Sequence, residues 1–261
     1  MKLQDKVALI TGGSSGIGKA AAELFAAEGA TVAVVASSSL AKSEEAAASI
    51  NEKGGQARAF VADVRSVSAV EELVKSVTDV CGPVDILMNS AGIYEPNDIG
   101  ETTEDQYHRM VDVNLKGTFF VINAVVPGMK KRRYGKIINV ASVAGFRGAP
   151  HYSLYCTVKA AIVMLTRTLA TDLAPYNINI NAIAPGNTAT PLNEKLRTDP
   201  AFADLMAAKA AATPSNRTYS PPEEMARAAL FLASDDVRAM HGTTILLDEG
   251  HSAGAFWGES R

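Results

Sequence analysis

The amino-acid sequence predicts an α/β fold in which seven parallel strands form one doubly wound sheet with helices on both faces. Short apolar runs rich in Val, Ile, Leu and Ala alternate with longer helical stretches from one end of the chain to the other, which is the pattern of repeated βαβ units. Most of these runs are apolar at nearly every position, as strands covered on both faces should be. A glycine-rich turn joins the first run to the first helical stretch.

The predicted strands and helices are bounded by turn residues and by helix caps. The clearest helix is the fifth, where Val158, Ile162, Leu165 and Leu169 recur at steps of three and four residues and form one apolar stripe. Gly29 follows the first helix, as a C-terminal cap should. Strands are predicted at residues 7–10, 31–35, 57–62, 85–88, 136–140, 178–183 and 244–247, and helices at 17–28, 41–52, 69–80, 104–129, 154–173 and 222–233.

The alternation indicates a single domain over residues 1–261, because no internal repeat, low-complexity tract or Pro-rich linker interrupts it. One segment differs. Residues 188–220 form an insertion of more than thirty residues between the sixth strand and the last helix, with prolines at 191, 200 and 214. Connections of that length in compact domains are usually functional, and we predict that this segment is a substrate lid.

Charge, apolar patterning and the positions of cysteine and histidine limit the classes of function that are expected. The net charge is −3 and the basic residues form no clustered face, so a nucleic-acid partner is not expected. No apolar stretch approaches the ~20 residues that cross a bilayer, and the first residues lead directly into a strand, so we predict a cytoplasmic protein without a membrane partner. The two cysteines and four histidines are scattered and match no metal-ligand spacing. No metal site is predicted.

The turn after the first strand has the composition of a phosphate-binding loop. It reads TGGSSGIG over residues 11–18 and opens into a helix. Glycines let the backbone approach a pyrophosphate, and the helix N-terminus offers free N–H groups. A plain loop is the alternative, but the strand-turn-helix context favours a nucleotide. The predicted contacts are Gly12, Ser14, Ser15, Gly16, Ile17 and Gly18.

Tyr155 and Lys159 are candidates for acid/base chemistry, because residues four apart on a helix share one face. A phenol has an ordinary pKa of about 10 and needs a shift of about two units, roughly 3 kcal/mol, to act as a base near pH 8. A nearby ammonium can supply that shift. Such pairs are also common on ordinary helices, so the pair alone does not decide the function.

Three further features favour chemistry at this place. Ser142 ends the fifth strand, at the edge of the sheet where open α/β folds bind ligands. Residues 89–92, Asn-Ser-Ala-Gly, end the fourth strand at the same edge. Asn114 is a polar residue within the predicted helix 104–129.

In this order the motifs resemble the signature of the short-chain dehydrogenase/reductase family, over essentially the whole chain. The Tyr-x-x-x-Lys motif of the family corresponds to Tyr155 and Lys159, its serine thirteen residues upstream to Ser142, and its helical asparagine to Asn114. Its Asn-Asn-Ala-Gly motif appears at residues 89–92 with serine in the second place.

The resemblance implies a Rossmann-type fold and an oxidoreductase that transfers a hydride between NAD(P) and a carbonyl or secondary alcohol. It also implies a homotetramer, since many relatives are tetramers built on the helices predicted here at 104–129 and 154–173. Further cofactor contacts implied by the resemblance are Asp63, Val64, Asn89, Ala91, Gly92, Tyr155, Lys159, Pro185, Gly186, Thr188 and Thr190.

The resemblance also implies a role for each catalytic residue. Tyr155 would exchange a proton with the substrate oxygen, while Lys159 would lower the pKa of the tyrosine and bind the nicotinamide ribose. Ser142 would polarise the carbonyl, and Asn114 would hold a water in a proton relay. The chemistry is consistent, because hydride transfer needs a positioned acid or base and the cofactor carries the reactive carbon.

The end of the second strand favours NADP as the cofactor, with NAD as the alternative. An acidic residue there binds ribose hydroxyls and disfavours a 2′-phosphate, but this chain carries Ser37 and Ser38 and no acid. Similar serine-rich turns occur in NADP-using relatives. No basic residue lies within the turn, and Lys42 is the closest candidate to pair with the phosphate.

Substrate contacts are predicted after the fifth strand and in the lid. Ala144 and Tyr152 should line the pocket beside Ser142 and Tyr155, with simple packing as the alternative for Tyr152. Arg147 could hold an anionic substrate or be a solvated loop residue. The substrate class stays open between a 3-oxoacyl thioester, a sugar and a polyol.

Two hypotheses remain beside this interpretation. A catalytically silent nucleotide sensor or scaffold of the same fold is the alternative function, although a pure binder would not need Ser142, Tyr155 and Lys159 together. The C-terminal residues 256–261, with Phe256 and Trp257, are hypothesised to pack on a neighbouring subunit or its lid.

Overall fold

The computed structural model describes residues 1–254, and in this part of the chain the predicted seven-stranded parallel sheet is confirmed. The strand order is β3-β2-β1-β4-β5-β6-β7, and every neighbouring pair is parallel. The strands are β1 (Val7–Thr11), β2 (Thr31–Ala36), β3 (Gln56–Val61), β4 (Ile86–Asn89), β5 (Gly135–Val140), β6 (Ile178–Pro185) and β7 (Thr244–Leu247).

The helices cover both faces of the sheet, as predicted. Among the described residues the α-helices are α1 (Gly16–Ala27), α2 (Leu40–Glu52), α3 (Val67–Cys81), α4 (Glu104–Val111), α5 (Gly117–Arg132), α6 (Ser153–Leu173), α7 (Glu194–Thr198), α8 (Ala203–Ala211) and α9 (Pro222–Ala233).

The prediction of one uninterrupted helix over residues 104–129 is wrong, because the helix is interrupted. A π-helical turn, Asp112–Lys116, separates α4 from α5. The amide of Asn114 inside this turn is buried and donates from Nδ2 to the carbonyl oxygen of Met110 at 3.0 Å. In an α-helix that carbonyl would accept the backbone N–H of residue 114, so the side chain replaces a main-chain bond. Such π-turns are frequent at functional sites.

Two apolar layers, one on each face, hold the sheet. Ile10 points to the face covered by α1 and α9, where it shares a core with the fully buried Phe25. Leu9, the next residue towards the chain start, points to the opposite face and packs in the core that contains Val121 of α5. This alternation along β1 explains why its sequence is apolar throughout. Burial of each such side chain contributes about 1.5–3 kcal/mol.

The insertion at residues 188–220 contains α7 and α8 and is closed at its base. Thr188 and Ser220 form a β-bridge, in which the Ala189 N–H donates to the Ser220 carbonyl at 2.9 Å. Both ends of the segment therefore start from the carboxyl edge of the sheet.

Arg217 fastens the end of this segment to α9 and to the chain after β7. It donates from both terminal nitrogens to Glu224, at 2.7 and 2.6 Å, and from Nε to Glu249 at 2.9 Å. The guanidinium lowers the pKa of Glu249 from its ordinary value of 4.5 to about 2. Since the folded-state pKa is lowered, this contact adds stability above about pH 4.5 that is lost as the pH falls towards 2.

Replacement of Arg217 should loosen the segment. We expect Arg217→Gln to speed cleavage within residues 188–220 by thermolysin, which does not cut at arginine, by about two- to fivefold at neutral pH, as loss of exposed ion pairs would. The matched control is Arg227→Gln, an exposed arginine on α9. Equal cleavage rates in the two variants would show that the ion pairs do not hold the segment.

Helix α6 is both long and apolar. With the turn that follows, Ser153–Tyr176, it is the one described helix long and apolar enough to cross a membrane by length and composition. In the structure it packs against β6, and its Val158, Ile162 and Leu173 are buried. The hypothesis about Phe256 and Trp257 lies outside the described residues.

Candidate active site

A deep cleft opens at the carboxyl ends of the strands, where the strand order reverses between β1 and β4. Ligands of open α/β sheets bind at such switch points. The cavity has a volume of about 800 Å³, within the range of roughly 300–1,000 Å³ typical of ligand sites. It is lined by residues following β1, β2, β3, β4, β5 and β6, by α6 and by the 188–220 segment.

The glycine turn forms one wall of the cleft and fits a phosphate group. Gly12 has φ of +66°, and a Cβ there would lie 2.8 Å from the backbone nitrogen of Ala91, so only glycine is accommodated. The Ser15 side chain makes no capping hydrogen bond to α1, which leaves the first N–H groups of the helix for a ligand. The predicted Gly12, Ser14, Ser15, Gly16 and Ile17 all line the cavity.

Gly18 does not line the cavity, so its predicted contact with the cofactor is corrected to a structural role. A Cβ on Gly18 would lie 2.3 Å from the carbonyl oxygen of Gly12. The glycine therefore allows the turn to fold back on the start of α1.

The end of β2 adjoins two lysines and one glutamate. Ser37 and Ser38 line the main cavity as predicted, and a smaller adjoining hollow contains both serines together with Lys19, Lys42 and Glu45. Lys19 was missed because it belongs to α1, and only the packing of α1 beside β2 brings it to this turn. Lys19 is thus a second lysine beside Lys42, the closest candidate that the sequence indicated.

The end of β3 places an ion pair in the cleft. Asp63 and Val64 line it as predicted, and so does Arg65, which was not predicted. The Arg65 guanidinium donates to both carboxylate oxygens of Asp63, at 2.9 and 2.6 Å, and lowers the pKa of that carboxyl.

The residues after β4 divide between two roles. Ala91 and Gly92 line the cleft as predicted. Asn89 does not. Its Nδ2 donates at 2.9 Å to Oδ1 of Asn139 on β5, so the cofactor contact predicted for Asn89 is corrected to a brace between two strands.

Ser142, Tyr155 and Lys159 meet in this cleft, together with Asn114. Burial raises the pKa of Tyr155 overall, and the Ser142 side chain acts in the opposite direction by favouring the phenolate. Lys159 Nζ lies 5.6 Å from the centre of the Tyr155 ring and donates to the Val140 carbonyl at 2.8 Å. Burial lowers the pKa of Lys159 to about 8.

The pKa of Tyr155 differs from the expectation. The resemblance implied that Lys159 lowers the pKa of Tyr155, whereas in this structure burial of the phenol outweighs any such effect. The physical reason is that burial removes the phenol from water, which disfavours the charged phenolate.

Asn114 is held close to Lys159 by the backbone of Gly92. A Cβ on Gly92 would lie 2.8 Å from Asn114 Oδ1 and 3.8 Å from Lys159 Nζ. The amide is fixed on both sides, because Oδ1 accepts from the Ile93 N–H at 3.3 Å and Nδ2 donates to the Ile93 carbonyl at 3.2 Å. The π-turn therefore places Asn114 beside Lys159.

The chain after β6 forms the opposite wall. Pro185, Gly186, Thr188 and Thr190 all line the cleft as predicted. A Cβ on Gly16 would lie 3.1 Å from Thr190 Cγ2, so the start of the 188–220 segment lies directly over the glycine turn.

Tyrosines line the end of the cleft next to Tyr155. Tyr152 lines it as predicted and stacks on Tyr94, with ring centres 4.4 Å apart and planes 7° apart. Tyr94 also meets Tyr155 edge-on at 4.9 Å. Tyr94 was missed, although its position two residues after Gly92 at the end of β4 could have indicated it. Tyr219, from the end of the 188–220 segment, completes this wall.

Arg147 is not in the pocket, which corrects the predicted substrate contact. Its Nη1 donates to the backbone carbonyl of His251 at 3.0 Å, and among the residues that line the cavity its segment contributes Ala144 and Ala149 instead. The guanidinium serves to fasten the loop to the chain after β7.

Known proteins with similar sequences span nearly the full chain. The short chain dehydrogenase family matches residues 6–201. The 3-oxoacyl-[acyl-carrier-protein] reductase of Thermotoga maritima is 38% identical, over 96% of this chain and 99% of its own length. Galactitol 2-dehydrogenase of Agrobacterium fabrum is 40% identical, over 96% of this chain and 99% of its own.

Solved structures of similar proteins agree with the sequence comparison. Gluconate 5-dehydrogenase from Burkholderia cenocepacia, in complex with NADP and tartrate, has a TM-score of 0.90 and 33% identity over 97% of this chain and 98% of its own. A variant of actinorhodin polyketide ketoreductase with NADPH has a TM-score of 0.91 and 31% identity over 97% of this chain and 100% of its own. The chain therefore belongs to the short-chain dehydrogenase/reductase family of NAD(P)-dependent oxidoreductases.

Proposed function

We propose that this chain is an NADP-dependent enzyme that interconverts a secondary alcohol and a carbonyl group on a small polar substrate. The observation that carries the proposal is the meeting of Ser142, Tyr155 and Lys159 in one cleft with the glycine turn of α1. When bound, the nicotinamide would supply or accept the hydride.

The residues of the chain supply the rest of the chemistry. Tyr155 exchanges a proton with the substrate oxygen, and Ser142 donates a hydrogen bond to that oxygen. Lys159 binds the nicotinamide ribose and keeps a positive charge near the phenol, which favours phenolate. Asn114, fixed by the π-turn, holds a water beside Lys159.

The other predicted residues hold the dinucleotide. The glycine turn with Ser14 and Ser15 receives the pyrophosphate, Asp63 and Val64 lie at the adenine, and the chain after β6 lies at the nicotinamide. Further contacts of the same kind come from Ala91, Gly92, Pro185, Gly186, Thr188 and Thr190.

NADP is preferred to NAD because of the charges at the end of β2. Serine hydroxyls can donate to a 2′-phosphate, and Lys19 and Lys42 adjoin the same hollow. A phosphate oxygen is favoured by such donors and by ammonium groups. Structures of similar enzymes contain NADP or NADPH.

An acid at this turn should reverse the preference. We expect Ser37→Asp to raise the NADPH dissociation constant about tenfold or more, because like charges within a few ångströms repel by several kcal/mol, and to leave NADH binding unchanged or tighter. Titrations followed by nicotinamide fluorescence measure both constants. Ser37→Ala, which removes a hydroxyl without adding charge, should change NADPH binding about threefold at most.

The same titration on the wild-type protein tests the cofactor directly. Tighter binding of NADPH supports the proposal, and tighter binding of NADH overturns it. Turnover is then assayed with sugars, polyols, their oxidised forms and a 3-oxoacyl thioester, since similar proteins are named for substrates of these kinds.

A silent nucleotide sensor is not favoured by any feature of the described cleft. Ser142, Tyr155 and Lys159 are all present and line the same cleft. The similar proteins named above are enzymes. Tight cofactor binding without turnover of any carbonyl would revive that alternative.

The remaining expectations complete the proposal. The protein is a cytoplasmic single domain over residues 1–261 whose 188–220 segment acts as the substrate lid. It is a homotetramer built on α4, α5 and α6, because Tyr107, Phe119 and Met164 on these helices are exposed apolar groups, and such groups often mark contact surfaces. Light scattering on the purified protein should give the mass of four chains.

A further inference from the structure

Three cationic side chains line the main cleft, and two of them already have a partner or a role. Arg65 is paired with Asp63, and Lys159 belongs to the catalytic group. The third is Lys209 on α8. Within residues 1–254, Lys209 Nζ makes no ion pair and no hydrogen bond. The one acidic residue among the lining residues is Asp63, at the cofactor end.

Lys209 lies at the substrate end of the cleft. Its backbone carbonyl accepts from Thr213 Oγ1 at 2.7 Å, and the same hydroxyl contacts Nε2 of His251 at 3.1 Å. The carbonyl of His251 in turn accepts from Arg147. These contacts fasten α8 to the loop after β5, whose Ala144 and Ala149 line the cleft. The β2 turn with its serines belongs to the cofactor end.

The environment of Lys209 is unfavourable for an isolated charge. The residue is about half-buried in the cleft wall, and burial lowers the pKa of its ammonium group. An ammonium that has lost part of its hydration without gaining an acidic partner is less stable than one in water. A bound anion would restore the lost interaction.

We infer that Lys209 binds a carboxylate of the substrate, so that the enzyme acts on a hydroxy- or oxo-carboxylate in preference to a neutral polyol. This inference rests on the proposed function, because it describes the substrate of that same site. Lys209 takes no part in the hydride or proton transfer. It fixes the substrate by its charged end while Tyr155 and Ser142 bind the reacting oxygen at the other.

A carboxylate fits this end better than a phosphate. Phosphate groups are usually held by several donors together, such as an arginine fork or a helix N-terminus, whereas this end of the described cleft offers one ammonium. The hydroxyls of Tyr94, Tyr152 and Tyr219 lie on the same wall, and they can donate to or accept from substrate hydroxyls. The chemistry matches a polyhydroxy carboxylate, such as a sugar acid.

Matched substrate pairs separate the carboxylate from the rest of the molecule. Gluconate and glucitol differ only at the terminal carbon, where one has a carboxylate and the other a hydroxymethyl group. 3-Hydroxybutyrate and its methyl ester form a second pair. Binding of each compound to the full-length protein loaded with NADPH is measured by calorimetry, and oxidation with NADP⁺ gives kcat and KM.

The test variant is Lys209→Met, which keeps the length of the side chain and removes the charge. Its control is Lys195→Met, an exposed lysine on α7 of the same segment that does not line the cleft. We expect Lys209→Met to weaken carboxylate binding and to raise the corresponding KM about tenfold or more, with kcat nearly unchanged. Binding of glucitol and of the ester should be the same in all three proteins.

Each outcome decides a different point. Carboxylate binding that depends on Lys209, without turnover of any compound, would keep the carboxylate-binding role of Lys209 but would overturn both the proposed reaction and the assignment of the carboxylate as its substrate. Turnover of neutral alcohols with no advantage for the carboxylate would overturn the inference and keep the oxidoreductase function. The inference is also overturned if wild-type protein binds neither carboxylate, or if Lys209→Met affects both members of a pair equally.

Discussion

Tyr155→Phe is expected to lower kcat about 10³-fold or more, at the upper part of the range for loss of a general acid or base. The phenylalanine ring fills the same space next to Tyr94, so the wall of the cleft is preserved. Only the hydroxyl is lost, and with it the proton donor to the substrate oxygen. Steady-state rates measured with saturating NADPH and a carbonyl substrate give the effect.

Cofactor binding distinguishes a chemical effect from a structural one. The NADPH dissociation constant of Tyr155→Phe should stay within about fivefold of wild type, since a single neutral hydrogen bond contributes about 1 kcal/mol. Tyr152→Phe is the matched control. It removes a hydroxyl from the neighbouring stacked ring and should change mainly the KM for substrate. A Tyr155→Phe enzyme with more than a tenth of wild-type kcat would refute the acid/base assignment.

The fold could be predicted because its signals are local. Most strands are largely apolar runs of four to eight residues, and the periodicity of α6 is visible without knowledge of its neighbours. The glycine turn was equally readable, because the positive φ at Gly12 and the close approach to Ala91 demand glycine at that place in the sequence.

The π-turn could not be predicted, because it depends on a buried amide that bonds outside its own helix. The neighbours of Asn114 in the sequence, Val113 and Leu115, mark no break in the helix. Only the contact with the Ile93 backbone, twenty-one residues earlier in the chain, shows why the helix opens there.

The charged residues of the site were the hardest to assign from the sequence. Arg147 lies in the loop after β5, and Lys209 lies on α8 of the 188–220 segment. The sequence near each residue does not indicate which of the two side chains enters the cleft. Arg147 is held outside by the carbonyl of His251, while α8 brings Lys209 to the lining. Similarly, Lys19 reaches the cofactor hollow only because α1 packs next to the end of β2. Such placements depend on contacts between distant segments.

The second large effect is expected when the positive charge of Lys159 is removed. Removal of the ammonium in Lys159→Met leaves Tyr155 in a buried setting that already raises the pKa of its phenol. Less phenolate is then present at neutral pH, and kcat for alcohol oxidation should fall about 10²- to 10³-fold. The dissociation constant for NADPH should rise as well, because Lys159 is also proposed to bind the ribose.

The pH profile shows whether the lysine acts on the tyrosine. In Lys159→Met, the rate of oxidation should keep rising about tenfold per pH unit up to pH 10, as the base form of a high-pKa phenol increases. The advantage of the wild type over this variant should be largest below about pH 8, where Lys159 carries its charge, and should shrink above that pH. Lys159→Arg retains the positive charge and should restore the wild-type profile in part. The same profile in Lys159→Met and wild type would mean that the ammonium does not tune Tyr155.

A loss of stability is not expected to confuse this test. Burial lowers the pKa of Lys159 from 10.5 to about 8, so the charged group destabilises the folded state wherever it is protonated, below about pH 8, and this cost disappears as the pH rises to 10.5. The methionine side chain removes that cost and still packs in the same space. The Tm of Lys159→Met at pH 7 should therefore equal or exceed that of wild type, and a lost rate at an unchanged Tm must then come from the chemistry of the site.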